Sequence, residues 1–266
     1  MATTSEKIVQ CKVCGSSSIV KNGKIKGVQN WKCKVCGLQF VDNSAWYGMR
    51  TPTLQVNTAI QLYYQGISIP AICRQLQQDY KNYSSVSTVY GWIVKSSQRA
   101  IAVVKNHHPN VGTVWVANET PLTILGTQIW ILDIMDVQTF FLLASQVSLT
   151  HDIEDVRSLI DHAIEKATTP PNVIITYGIG DDIKKLGYSF ITEKATGEIE
   201  PIHKILQRRT NSLIDLKRID KVIEYVERWP VYYNYYMPNE NLCGKPAAEL
   251  ARVKYIRTNE RKLRTN

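Results

Sequence analysis

The spacing of hydrophobic positions changes along the chain, and the changes divide it. From Leu54 to Tyr64 the apolar residues Leu54, Val56, Ala59, Ile60, Leu62 and Tyr63 recur at helical intervals, and Gly66 ends the helix. Ser68 is set to cap a second helix, with Pro70 in its first turn and Ile69, Ile72, Cys73 and Leu76 as its inner stripe. After the polar stretch 79–83, Ser85 or Ser87 caps a third helix running through Val89, Trp92, Ile93 and Val94 towards Ala102. Beyond Gly112 the period shortens. Thr113 to Ala117, Gln128 to Met135 and Thr139 to Val147 read as strands, the last two joined by the turn Asp136-Val137-Gln138. Ile153 to Lys166 returns to the helical period, with Val156, Leu159, Ile160 and Ile164 on one side and Asp155, Arg157, Asp161 and Glu165 largely on the other. Pro170-Pro171 stops it, and Val173 to Thr176 is a short buried strand. Three strands, a helix and a further strand suit a mixed sheet covered by helices, an α/β architecture.

Ahead of the helices lies a different pattern, built on cysteine. Cys11-Lys12-Val13-Cys14-Gly15 is repeated as Cys33-Lys34-Val35-Cys36-Gly37, which gives C-x2-C, 18 residues, C-x2-C. Each C-x2-C turn supplies two thiolates to a tetrahedral zinc, and the glycine lets the backbone turn back tightly. The spacing is that of a zinc ribbon, with Cys11, Cys14, Cys33 and Cys36 as ligands. Four protein ligands close the shell, so the expected Zn²⁺ is structural. A segment this short cannot bury enough apolar surface to fold without such a staple. Cys73 and Cys243 stand alone and read as small, chemically idle residues.

Charge sharpens the division. The formal net charge is +9, but it is unevenly spread. Residues 1–50 carry 8 basic and 2 acidic side chains, 51–110 carry 5 and 1, 111–200 carry 5 and 13, and 201–266 carry 14 and 7. Two basic regions thus flank an acidic middle. Lys21, Lys24, Lys26 and Lys32 lie between the cysteine pairs with almost no acids nearby, as a phosphate-contacting surface would. Three helices with a tight turn form a helix-turn-helix arrangement, whose third helix would present Ser87, Thr88, Tyr90, Lys95 and Arg99 to DNA. Lys204, Arg208, Arg209, Lys217 and Arg218 form a second basic cluster, and residues 252–264 a basic tail.

The most apolar stretch, Ile129 to Leu149, contains Asp133, Asp136, Gln138 and Gln146 and is too polar to span a bilayer. No apolar leader follows the first charges, and 6 Cys in 266 residues do not make a disulfide scaffold. The expected setting is the cytoplasm, associated with DNA or the nucleoid, with double-stranded DNA as partner and no membrane. The expected divisions are a zinc ribbon over 1–45, a helix-turn-helix domain over 50–105, a sheet domain over 112–251 and a tail over 252–266. The stretches 42–44, 51–52 and 106–112 read as linkers.

The C-terminal run Tyr233-Asn234-Tyr235-Tyr236-Met237-Pro238-Asn239, followed by Leu242, Gly244, Lys245, Pro246, Ala247, Ala248 and Glu249, resembles the Y-N-x-x-R-P-H…L-x-G-x-x-P-A-E ending of insertion-sequence transposases of the insertion-sequence-six group. Met237 stands where Arg is usual and Asn239 where His is usual. The ribbon, the helices and the strand order resemble the same family from about residue 11 to 253. The resemblance implies an RNase H-like core, a dimer or higher oligomer, and a DDE centre that cuts and joins DNA with two divalent metal ions. Such ions sit about 4 Å apart and require anionic oxygen ligands.

The residues depart from the family at that centre. Where the family has D-E-T the chain reads Asn118-Glu119-Thr120; where it has T-D-G, Thr176-Tyr177-Gly178; where it has N-N-x-I-E, Asn211-Ser212-Leu213-Ile214-Asp215. An Asn amide brings no charge, and a Tyr phenol, with a reference pKa of about 10, is neutral at pH 7. Asp215 keeps the charge on a shorter arm. The triad positions Asn118, Tyr177 and Asp215 therefore predict no catalytic residues and no catalytic Mg²⁺, and the chain reads as a domesticated DNA-binding protein. Two alternatives stand beside it: an active transposase using displaced acids such as Asp136, Asp181 or Asp182, and a mobile-element relic. Among the strand acids, Asp133 and Asp136 could face the pocket, and Asp136 is the better placed as a loop acid. Glu119, next to Asn118 on a strand, should point to the other face.

Overall fold

The computed structural model describes residues 9–25, 28–41, 51–176, 178–192, 202, 204–206 and 218–253. Strands β1 (Ile19–Ile25), β2 (Val28–Cys33) and β3 (Gln39–Val41) form a small antiparallel sheet in the order β1-β2-β3. Among the described residues its core is Cys11, Cys33, Leu38 and Phe40, with Trp31 packed against them.

Helices α1 (Thr53–Tyr64), α2 (Ile69–Tyr80) and α3 (Val86–Val104) follow. They pack around Val56, Ala59, Ile72, Leu76, Val89, Trp92 and Ile93. Ser85 caps α3 by accepting from the Thr88 backbone N–H. Ser68 sits at the N-cap of α2 in extended conformation without a side-chain cap bond.

The sheet domain comprises β4 (Val114–Ile124), β5 (Thr127–Asp136), β6 (Leu142–Ser148), β7 (Val173–Thr176) and β8 (Phe190–Thr192) in the order β6-β5-β4-β7-β8. The first three strands are antiparallel; β7 and β8 run parallel to β4. Its helices include α4 (Ile153–Ala167), α5 (Gly180–Lys185), α6 (Ile219–Tyr235) and α7 (Ala247–Leu250). An antiparallel meander extended on one side by parallel strands and covered by helices is the RNase H-like arrangement. Among the described residues, no helix is long and apolar enough to cross a membrane.

β4 is longer than its apolar run predicts. Polar Asn118 to Pro121 interrupts the pattern, yet Leu122 and Ile124 resume it and pair with Ile129 and Thr127 across a tight hairpin. Asn118 therefore lies mid-strand rather than at a strand end, and β4 continues past the level where β7 stops.

The two sheet faces have different partners. Glu119, Leu132 and Gln146 share a register row, and Gln146 donates to the Asp155 backbone carbonyl of α4. Asn118, Asp133 and Ser145 share the adjacent row and so the opposite face, on the side of Met135, which the Tyr233 hydroxyl of α6 approaches. Helix α6 is fastened there by its side chains. Asn234 accepts from Leu142 N–H and donates to Leu142 C=O, both at 2.9 Å, as another strand would. Tyr233 donates to the Phe140 carbonyl at 3.0 Å, and Asn239 donates to the Tyr233 hydroxyl. The Tyr-Asn motif and its trailing Asn are thus a docking device for α6 on the edge strand β6.

The helical bundle and the sheet domain are joined by an aromatic seam. Tyr64 of α1 stacks on Tyr232 of α6 at 4.6 Å, and Tyr225 donates to the Tyr64 carbonyl. The stretch 106–112, read as a linker, lies against the domain: His107 is buried beside Tyr235, and Asn110 N–H donates to Ala251 C=O at 2.7 Å. Its polar composition signals a loop correctly, but not the burial of one histidine.

Candidate functional site

On the α6 face of the sheet, the Asn118 amide donates to Thr120 Oγ1 at 3.0 Å. Directly across, Asp133 is fully buried and accepts from Ser145 Oγ at 2.6 Å. The acid that shares a row with Asn118 is therefore Asp133 and not Asp136. Asp136 pairs with Trp115, three rows away, and its carboxylate accepts from Gly112 N–H, Thr139 N–H and Thr139 Oγ1. It braces the turn after β5, so its expected role as a loop acid of the pocket is corrected. Asp181 and Asp182 lie in the first turn of α5, where Asp182 pairs with Lys185 at 2.9 Å.

Glu119 points to the opposite face, as strand alternation requires. Its carboxylate meets His151 Nε2 at 2.6 Å, and the His151 ring lies against Trp130 at 4.8 Å. It also rests on Gly178: a Cβ there would fall 1.9 Å from Glu119 Oε1. His151 escaped the sequence reading because it stands alone, 32 residues from its partner. Among the described residues, the one group of three or more His, Cys, Asp or Glu side chains able to share a metal is the cysteine cluster. Tyr177 and Asp215 lie outside the described residues.

That cluster unites all four predicted cysteines. The ligand atoms of Cys11, Cys14, Cys33 and Cys36 lie within 4.8 Å of one another, with Cys11–Cys36 and Cys14–Cys33 each at 3.6 Å. Zinc–sulfur bonds of about 2.3 Å in a tetrahedron set sulfurs about 3.8 Å apart, so the donor set fits. Gly15 and Gly37 adopt φ of 67° and 73° as each knuckle turns back. The Cys36 backbone N–H is the largest influence on Cys33 and brings its thiol down to about 7 against the opposing effect of burial.

The expected DNA-facing residues fall into three groups. Lys21, Lys24 and Lys32 are exposed on the small sheet, and Ser87, Thr88, Lys95 and Arg99 are exposed on α3. Lys204 is exposed, and Arg218 pairs with Asp220 at 2.8 Å. Lys26, Arg208, Arg209, Lys217 and residues 254–266 of the tail lie outside the described residues.

Tyr90 departs from expectation. It does not stand free on α3: its hydroxyl donates to Glu224 at 2.6 Å and accepts from Lys221 at 2.9 Å, both on α6. Arg228 adds a third contact to Glu224 at 3.2 Å. Lys221 and Tyr90, with help from Arg228, hold the Glu224 carboxyl down to about 2. A surface position on a predicted DNA-reading helix is instead part of the joint to the sheet domain.

No family model matches the chain, and no curated protein matches it. Solved structures do. The integrase catalytic core domain of HTLV-2 in complex with magnesium, in its trimeric form, is 15% identical, with a TM-score of 0.39 over 54% of this chain and 97% of that one. The dimeric form gives 14% and 0.38 over the same shares. The simian T-cell lymphotropic virus intasome in complex with PP2A regulatory subunit B56 gamma is 12% identical, with a TM-score of 0.41 over 76% of each chain.

Proposed function

We propose that this chain is a transposase-derived protein that binds double-stranded DNA and no longer performs phosphoryl transfer. The observation that carries the reading is Asn118. At the position where the resemblance calls for an anionic metal ligand, a neutral amide is tied to Thr120. Two-metal chemistry clamps both the attacking and the leaving oxygen, which one buried carboxylate across the strand does not supply. Zn²⁺ held by Cys11, Cys14, Cys33 and Cys36 would stiffen the ribbon and keep its lysines presented to phosphate. Ser87, Thr88, Lys95 and Arg99 on α3 would meet the duplex beside them, and Lys204, Arg208, Arg209, Lys217 and Arg218 would add backbone contacts. The protein acts in this reading as a homodimer or higher oligomer on DNA, organising or regulating it.

One observation favours a second reading. Asp133 lies in the same row as Asn118, so a rebuilt single-metal centre would form around Asp133.

Fluorescence anisotropy of a labelled duplex separates DNA binding from its absence. The expected result is saturable binding by the zinc-loaded protein, a log K that falls by about 0.9 per decade of salt for each phosphate neutralised, and weaker binding after chelation. Absence of binding at low salt overturns the proposal.

A further inference from the structure

The seam between the helical bundle and the sheet domain forms a part-open cavity of about 200 Å³. Its walls come from three helices: α1 contributes Gln61 and Ile60, α3 contributes Ser96 and Ala100, and α6 contributes Arg228 and Val231. The stacked rings of Tyr64 and Tyr232 close one side. Most of this lining is apolar, but two of its polar groups are largely buried. The Arg228 side chain is 14% exposed, and among the described residues one of its five N–H donors is spent, on Glu224. Ser96 is 9% exposed, and its hydroxyl makes no hydrogen bond among the described residues. The neighbouring Ser97, by contrast, is satisfied by Tyr64 and the Ile93 carbonyl. The unused Arg228 donors and the Ser96 hydroxyl are not sealed in, so they are open to a ligand in the cavity.

We infer that this cavity is a binding site for a small organic acid. The carboxylate would take the fork of Arg228 and the Ser96 hydroxyl, and the apolar body would lie against Ile60, Ala100 and Val231. Arg favours carboxylate because its planar donors match the two oxygens. The volume lies below the roughly 300–1,000 Å³ of sites for drug-sized ligands, which limits the guest to about ten non-hydrogen atoms. An acid seated here touches all three helices and so ties α3 to α6. Altered DNA affinity on occupancy follows only if the DNA-binding reading holds; binding of the acid itself does not depend on it.

The test is calorimetric titration of the full zinc-loaded chain, without DNA, with benzoate and 3-phenylpropionate, and with benzamide as the neutral counterpart. Saturable binding of at least one acid, at least tenfold weaker for benzamide, is expected. Arg228→Gln should weaken the acid at least tenfold. Ala100→Leu, which fills the cavity and leaves the Arg228–Glu224 pair intact, should abolish binding while keeping the wild-type Tm. No saturable heat from either acid at millimolar concentration, or affinity unchanged in Ala100→Leu, overturns the proposal.

Discussion

Gly178 follows the position where the resemblance calls for the second acid, and the Glu119 carboxylate occupies the space a side chain there would need. Gly178→Ala should therefore push Glu119 off His151 and cost about 1 kcal/mol, measured by urea denaturation. In a Glu119→Ala background the same change should cost little; an equal cost in both backgrounds would show that the carboxylate is not the obstacle. Glu224 gives a pH signature. Its carboxyl is depressed from 4.5 to about 2 by Lys221, Tyr90 and Arg228, so its contribution to stability is present above 4.5 and is lost as pH falls towards 2. Glu224→Gln should lower Tm at pH 7, and the gap to wild type should close over that window. A gap that stays constant down to pH 2.5 would contradict the assignment. The sequence makes the neutral amide at 118 legible but not its acidic neighbour. Asp133 and Asp136 lie on the same strand, three residues apart and so on opposite faces, and only the register with β4 sets one beside Asn118 and the other at a turn.

Among the elements, those with strong local periodicity are legible almost to the residue. Helix α4 and strand β7 occupy the expected spans, because α4 has an amphipathic stripe and an Asp152 cap, and β7 is a short apolar run after a double proline. The extension of β4 is hidden because Asn118 and Pro121 are poor strand residues alone; pairing with the full length of β5 overrides their preference. Helix α3 hides a tertiary role in the same way, since nothing local marks Tyr90 as a partner of Glu224, 134 residues away. The Tyr-Asn motif, which carries the family resemblance, is explained by geometry. Asn234→Ala would leave the N–H and C=O of Leu142 unpaired in a buried site, at a cost of about 3 kcal/mol. Chemical denaturation reads this directly, and hydrogen exchange should show β6 losing protection first. A loss below about 0.5 kcal/mol would mean that the edge strand does not depend on this clamp.

At the scale of the molecule, a small sheet with a four-cysteine cluster, a three-helix bundle and an RNase H-like sheet carry a net +9 that is concentrated at the two ends of the sequence. Among the described residues, the acidic middle sets one carboxylate, Asp133, beside Asn118: Asp136 is spent on a turn, Asp182 on Lys185, and Glu119 on His151 across the sheet. Charge therefore supports holding DNA, and the chemistry of the central strand argues against cutting it. The bundle is wedded to the sheet domain by Tyr64, Tyr90 and the α6 ion pairs, so DNA bound to α3 would be held in a fixed relation to the sheet. The most direct measurement is a strand-cleavage and strand-transfer assay on a saturably bound, end-labelled duplex with Mg²⁺ or Mn²⁺, read on a denaturing gel. The account predicts intact strands with either metal. Metal-dependent nicking or joining that disappears in Asp133→Asn would contradict it and establish a rebuilt catalytic centre.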